Sequence, residues 1–246
     1  MANDKVYIHE LINVIGHNRA RYMHHMTANW CPVAREERNQ LCFGVWATVG
    51  STGSWPEVVN LWELGGWDGL VANFEHEFSA GGTQDPSLAE WWAAAADLRR
   101  GGKDRIVVPA PFSPTIDELT ADGVRGEVYA HEIVSVANGV AGDYLDVVAG
   151  SGVAAYAEFG IALVGAFATA MRSEGEVVLV WAIPTWADWA DFEQASMRRD
   201  GLGVWKEAIR PFGGSTFRTL MVDAPLAPLR TGRQPQVEDR RPLAEL

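Results

Sequence analysis

From residue 5 to residue 15 the chain alternates apolar, mostly β-branched positions with others, which predicts a strand with Val6, Ile8, Ile12 and Val14 on one face and Tyr7, His9 and Leu11 on the other. Gly16 ends it. The spacing then turns helical from His17 to about Glu37, with Tyr22, Met23, Met26, Trp30 and Val33 recurring one, three and four apart, and Pro32 is expected to end or kink that helix. Strands follow at Leu41 to Val49 and Glu57 to Leu64. The Ser51–Ser54 turn cluster between them predicts an antiparallel hairpin. Helices are expected from Trp67 to about Phe78 and, capped by Asp85-Pro86, to Arg100; a fourth strand is expected at Arg105 to Val108.

The same order returns in the second half. Val6-Tyr7-Ile8-His9-Glu10 reappears as Val128-Tyr129-Ala130-His131-Glu132, an offset of 122 residues that also pairs Tyr22 with Tyr144. Phe43-Gly44-Val45-Trp46-Ala47-Thr48 matches Val164-Gly165-Ala166-Phe167-Ala168-Thr169, and Val58-Val59-Asn60-Leu61-Trp62 matches Val177-Val178-Leu179-Val180-Trp181. A fixed-period repeat of this kind marks a duplicated unit. The second copy predicts strands at Glu127–Val136, Ile161–Met171, Glu176–Ile183 and Ser215–Val222. A helix is expected from Val140 to Glu158, and another, capped by Thr185, carries Trp186, Trp189 and Phe192. Turns are expected at Asn138-Gly139 and Ser173-Glu174-Gly175.

Each half therefore reads β-α-β-β-α-β, a ferredoxin-like unit with helices on one sheet face only. The fold class is α+β: two tandem ferredoxin-like units in residues 1–108 and 124–223, joined by a Pro-rich linker at 109–123 and followed by an extended or mobile tail at 224–246. Two such sheets, burying their bare faces against each other, make an intramolecular barrel with an enclosed cavity.

Composition narrows the function. A net charge of −12 argues against nucleic acid and against an anionic membrane as partner, and no apolar run is long enough to span a bilayer. The start of the chain lacks an apolar leader, and two cysteines, Cys31 and Cys42, make no framework, so a cytoplasmic location is expected. Eleven tryptophans point to an aromatic-lined interior or a large apolar interface, the latter leaving room for a homo-oligomer.

The Tyr-bearing first strand, the helix with a central Tyr, the Val-Gly-x-Phe/Trp-x-Thr strand and the Val-Val-x-Leu-Trp strand resemble the NIPSNAP domain of the dimeric α+β barrel superfamily, and Pro109 to Pro114 is similar to that family's connection. The resemblance covers residues 5 to 222. One departure stands out. The family commonly carries Glu-Leu-Arg after the strand's Tyr, whereas here Ile8-His9-Glu10 and Ala130-His131-Glu132 put a histidine and a carboxylate there. The superfamily implies a wide range of roles, among them cofactor-free monooxygenases, isomerases, lactone-handling enzymes and haem proteins.

Candidate chemistry follows from position. His9 and His131 fall on the cavity face beside Tyr7 and Tyr129, an arrangement suited to acid/base work and equally to hydrogen-bonded packing. Glu10 and Glu132 are expected beneath the helices, as ion-pair or capping groups. Trp46, Trp62, Tyr22, His24, His25 and Arg21 are the candidate ligand-binding residues. His17, Arg21 and His24 share a helix face but lack a further ligand at usual spacing, and neighbours in Glu75-His76-Glu77 point apart on a helix, so no metal site is assigned. Nucleotide loops, a hydrolase elbow and zinc-type cysteine spacing are all missing. The expected protein is a small-metabolite enzyme without nucleotide cofactor that acts on an apolar or aromatic ligand. The alternative is a binding protein that carries haem or a hydrophobic ligand without turnover.

Overall fold

The computed structural model describes residues 2–79, 85–171, 174–198 and 201–246. Eight antiparallel strands close into one barrel: β1 (Val6–Val14), β2 (Gln40–Thr48), β3 (Glu57–Leu64), β4 (Arg99–Pro109), β5 (Val128–Ser135), β6 (Ala162–Thr169), β7 (Glu176–Ile183) and β8 (Ser215–Asp223), in the order β1-β3-β2-β8-β5-β7-β6-β4. Each half contributes four neighbouring strands with its first strand inside and its fourth at one edge. The halves are sewn edge to edge by short seams, β2 to β8 and β4 to β6, and their inner faces meet inside the barrel.

Strand alternation sends Tyr7 and His9 inward and Val6, Ile8, Glu10, Ile12 and Val14 outward, under the helices, and the repeat does the same with Tyr129 and His131. The hollow expected between the sheets is filled. Tyr7, Phe43, Trp46, Leu61, Val107, Tyr129, Phe167, Val178, Val180 and Met221 interlock there with no more than trace exposure.

The repeated Val-Gly-x-aromatic strand has a mechanical cause. In β2 the register slips between Cys42 and Gly44, and in β6 between Leu163 and Gly165, so both copies carry a bulge at the same place. The bulge turns Phe43 and Trp46, and Val164 and Phe167, to the same inner face. The ring two residues on lies across the glycine: a Cβ on Gly44 would collide with the Trp46 indole, and one on Gly165 with the Phe167 ring. Gly44→Ala is therefore expected to cost about 1–3 kcal/mol through overpacking, read from urea unfolding; an unchanged midpoint would show that the ring has room to move.

Several expectations need correction. The first helix does not break at Pro32. It starts at Arg19 and runs as α1 (Arg19–His24), a π-helical stretch (His25–Trp30) and α2 (Cys31–Arg38), because Pro32 sits in the first turn of α2, where its missing N–H costs little. Its counterpart has the same make-up: α6 (Ala141–Val147), a π stretch (Val148–Gly152) and α7 (Val153–Ala157). Helix α3 spans Gly66–Glu77, and α4 starts at Ala89, after a 3₁₀ turn at Pro86–Leu88, and ends at Leu98. Strand β4 then begins at Arg99, six residues before its expected start, since Gly101 and Gly102 let it stay paired with Asn13 and Ile12.

The linker is partly helical. Helix α5 (Ile116–Ala121) is closed by a Thr115–Glu118 capping box and buries Ile116 and Leu119 against the interior cluster. The stretch after α8 (Trp186–Met197) contains α9 (Gly203–Ile209), not expected from the sequence, which buries Trp205. The tail is neither extended nor free. It includes α10 (Pro228–Thr231), buries Ala224, Ala227 and Leu229, and pairs the Gln234 amide with both the N–H and the carbonyl of Cys42. Of the Ser173–Gly175 turn, Ser173 lies outside the described residues, as do Gly81 and Gly82.

Candidate functional site

At the centre of the barrel the two repeated histidines meet. Their Nε2 atoms stand 2.8 Å apart and their rings are nearly parallel, at an interplanar angle of 10°. At that distance one ring donates and the other accepts, so a single proton occupies the gap. Both rings are kept neutral: burial first, then His131 and Arg105, hold His9 well below the usual imidazole range, and burial followed by Arg105 brings His131 down to about 3. Tyr7 donates to Glu63 at 2.9 Å, and Glu63 also accepts from the Ile116 N–H. Tyr129 donates to Asp223 at 3.5 Å. Burial raises both phenols above their ordinary range. None of the four candidate catalytic side chains lines a described cavity.

A pH effect on stability follows. An unfolded imidazole charges near pH 6.5, at about its ordinary pKa, while folded His131 resists protonation down to about pH 3 and burial holds His9 well below its ordinary range. The folded pKa is depressed, so stability is complete above about pH 6.5 and drains away as pH falls toward 3, by about 1.4 kcal/mol per pH unit for each ring that titrates. His131→Gln should flatten the fall in urea stability between pH 7 and pH 5. The carboxylates with raised values are common to both proteins and cancel in the difference; equal slopes would show that the pair does not titrate in this way.

The cavity lies on the other side of the first sheet, under the helices of the first half. It measures about 510 Å³, and its walls include Ile8, Met26, Trp30, Trp62, Trp91 and Trp92, with Phe74 from α3 and Phe78 just after it. Trp91 packs on Trp30 at 4.7 Å and edge-on against Trp92 at 4.8 Å. The Arg38 and Arg99 guanidinium groups lie over Trp30 and Trp92 at 5.2 and 5.3 Å. Arg38 Nε and the indole N–H groups of Trp91 and Trp92 find no hydrogen-bond partner among the described residues.

Two carboxylates share this wall. Glu10 on β1 and Asp104 on β4 are register partners, so their side chains project side by side from the same face, Glu10 on the wall and Asp104 at the exposed mouth. Glu10 Oε2 accepts from Asn60 Nδ2 at 2.8 Å and Trp62 Nε1 at 2.9 Å, and Oε1 takes no bond among the described residues. Burial raises the Glu10 carboxyl above its usual range, with Asp104 adding to it and the two hydrogen bonds opposing. Asp104 is raised by burial as well, against the pull of Arg99.

The second half has the same frame with the space filled. Glu132 is the register partner of Arg218, and the two form an ion pair at 2.7 Å. Tyr156 donates to Glu132 at 2.9 Å and stacks on Trp181 at 4.0 Å, while Arg218 also binds Glu193 at 2.8 Å. At the repeat offset Ala34 stands where Tyr156 does, and by strand register Asp104 takes the place of Arg218. Trp62, Glu10 and Asp104 face the cavity, with a carboxylate at the register position that a cation takes in the second copy.

The expected ligand-binding residues divide among three places. Trp62 lines the cavity, and Trp46 is sealed in the barrel interior. Tyr22 accepts from Asn60 behind Glu10. His25 backs the cavity wall: Nε2 donates to the Trp91 carbonyl at 3.1 Å, which leaves Nδ1 to accept from Asn29. His24 accepts from the Arg241 N–H, and Arg21 donates to the Leu246 carbonyl, so both hold the tail. Asp104 falls between the expected end of a helix at Arg100 and the expected start of a strand at Arg105, and its pairing with Glu10 rests on strand register, which leaves no local mark in the sequence.

Solved structures with this architecture include a provisionally named monooxygenase from Lactobacillus acidophilus, 9% identical, covering 90% of this chain and 95% of that one, with a TM-score of 0.59. An anthrone oxidase-like protein is 10% identical, with 91% of this chain and 93% of that one covered and a TM-score of 0.58. A NIPSNAP family protein with unknown function from Agrobacterium tumefaciens matches 43% of this chain and 95% of its own at 24% identity and a TM-score of 0.37. The fold is that of the dimeric α+β barrel proteins, with NIPSNAP family members among the matched structures. No family model and no curated protein matches the chain. Among the described residues no helix is long and apolar enough to cross a membrane.

Proposed function

We propose that the chain is a duplicated pair of ferredoxin-like units of which only the first is chemically active. That unit binds a small aromatic molecule in the helix-side cavity and moves a proton on it. The observation that carries this reading is the Glu10–Asp104 pair on an open aromatic wall, at the register positions where the second copy neutralises Glu132 with Arg218. A carboxyl whose proton affinity is raised toward neutral is suited to general acid/base work, and Glu10 is assigned that part. Burial, with Asp104 adding to it, keeps Glu10's proton affinity high, and Asp104 meets solvent at the mouth, so it is assigned the exchange of the proton with water. The His9–His131 pair and the two tyrosine–carboxylate pairs are assigned to holding the barrel together.

The volume lies within the range of about 300–1,000 Å³ typical of small-molecule sites, and the tryptophans offer flat faces to a planar guest. The shared fold of an anthrone oxidase-like protein and of a monooxygenase-type protein supports a reading in which the guest is a carbon acid on an aromatic frame. Haem fits less well, because no histidine lines this cavity to serve as axial ligand. The test is exchange of the acidic methylene hydrogens of anthrone for deuterium, followed by NMR in D₂O. The wild-type chain is expected to accelerate it, and Glu10→Gln to lose about 10²–10⁴-fold of that acceleration, while His9→Gln retains it. An undiminished rate in Glu10→Gln would end the assignment.

A further inference from the structure

We propose that Glu37, His76 and Asp85 form a binding site for a divalent transition metal of the zinc class, one that ties together the helical segments roofing the cavity. His76 Nε2 stands 3.2 Å from Asp85 Oδ2 and 3.9 Å from Glu37 Oε2, and one ligand atom from each residue falls within 4.8 Å of the others. An imidazole and two carboxylates are a common donor set for zinc. Tetrahedral bonds of about 2.1 Å put donor atoms about 3.4 Å apart, so the set closes on an ion with small side-chain adjustments. The ligands come from separate segments: Glu37 from the end of α2, His76 from the last turn of α3, and Asp85 from just before the turn that leads into α4. Sequence neighbours of His76 diverge on the helix, and its partners are supplied by the fold.

Arg38 sits 3.5 Å from both Asp85 Oδ2 and Glu77 Oε2, a looser approach than a hydrogen bond. It offsets part of the negative charge that Glu77 and Asp85 bring together. The same three segments carry Arg38 of α2, Asn73 and Phe74 of α3 with Phe78 at its end, and Trp91 and Trp92 of α4 in the cavity wall, so an ion here stiffens the roof without touching the guest. This site is independent of the proton-transfer assignment.

The experiment is calorimetric titration of zinc chloride into the chelator-treated full chain, with melting temperature followed in parallel. One zinc per chain is expected, with at least tenfold weaker binding in His76→Ala and in Glu37→Gln and unchanged binding in His17→Ala, which alters an exposed histidine outside the cluster. Zinc is expected to raise Tm in the wild type and in His17→Ala and to leave His76→Ala where it was; circular dichroism confirms that each variant is folded. Absence of saturable binding, an affinity in His76→Ala equal to wild type, or binding without a rise in Tm overturns the proposal.

Discussion

Arg218→Ala is expected to lower the unfolding free energy by about 3–5 kcal/mol, because it strips the partner from a carboxylate that is almost wholly buried. Glu132 is 2% exposed and depends on Arg218 for its charged bond at 2.7 Å, with Tyr156 and the Trp181 indole as its remaining donors among the described residues once the guanidinium is gone. The same cut releases Glu193 and removes the cation over the Phe192 ring. Glu10→Gln in the other copy is expected to stay within about 1 kcal/mol of wild type, since its carboxyl already holds its proton more tightly than usual and its two neutral donors serve an amide oxygen as well. Urea unfolding of the two variants side by side measures the contrast. Equal losses would mean that the two copies use their glutamates alike.

Asp104→Arg is expected to have the opposite effect in the first half, closing the cavity instead of opening a fault. Placing a guanidinium opposite Glu10 rebuilds the register pair of the second copy and fills the mouth of the cavity, where Asp104 now stands. Binding of anthrone, followed by quenching of tryptophan emission, should weaken at least tenfold, and stability should rise or hold. The α1–α2 layer is left as it is, and Ala34 keeps some of the space that Tyr156 fills in the other copy, so the closure is partial. Retained binding, with the introduced guanidinium in contact with Glu10, would place the guest somewhere other than against β1 and β4.

How far the chain could be read from its letters depended on whether the signal was local. The alternation from Val6 to Val14 placed Tyr7 and His9 inward and Glu10 outward, and the copy at 128–135 agreed, because side-chain direction along a strand follows from period two alone. Gly44 and Gly165 stood out in the repeat, and the bulge with its covering ring is the reason they recur. The site was harder. Its defining pair, Glu10 with Asp104, lies on strands whose register is set by tertiary packing, and β4 starts six residues before the position that local pattern gives it. That the hollow falls outside the barrel and not within it came down to bulk: large rings fill the interior, while Ala34 and Asp104 replace a tyrosine and an arginine in one copy only. The tail's polar, Pro-rich letters pointed to a free arm, yet Gln234 and Gln236 hold it through side-chain bonds to Cys42 and Arg35 that composition does not foretell.

The most direct test is a crystal structure of the chain with anthrone bound. The ligand is expected between Trp62 and the Trp91–Trp92 corner, with its reactive carbon at Glu10. Density inside the barrel against His9 and His131, or on the second half beside Trp181, would contradict the assignment of the first half's outer wall as the site.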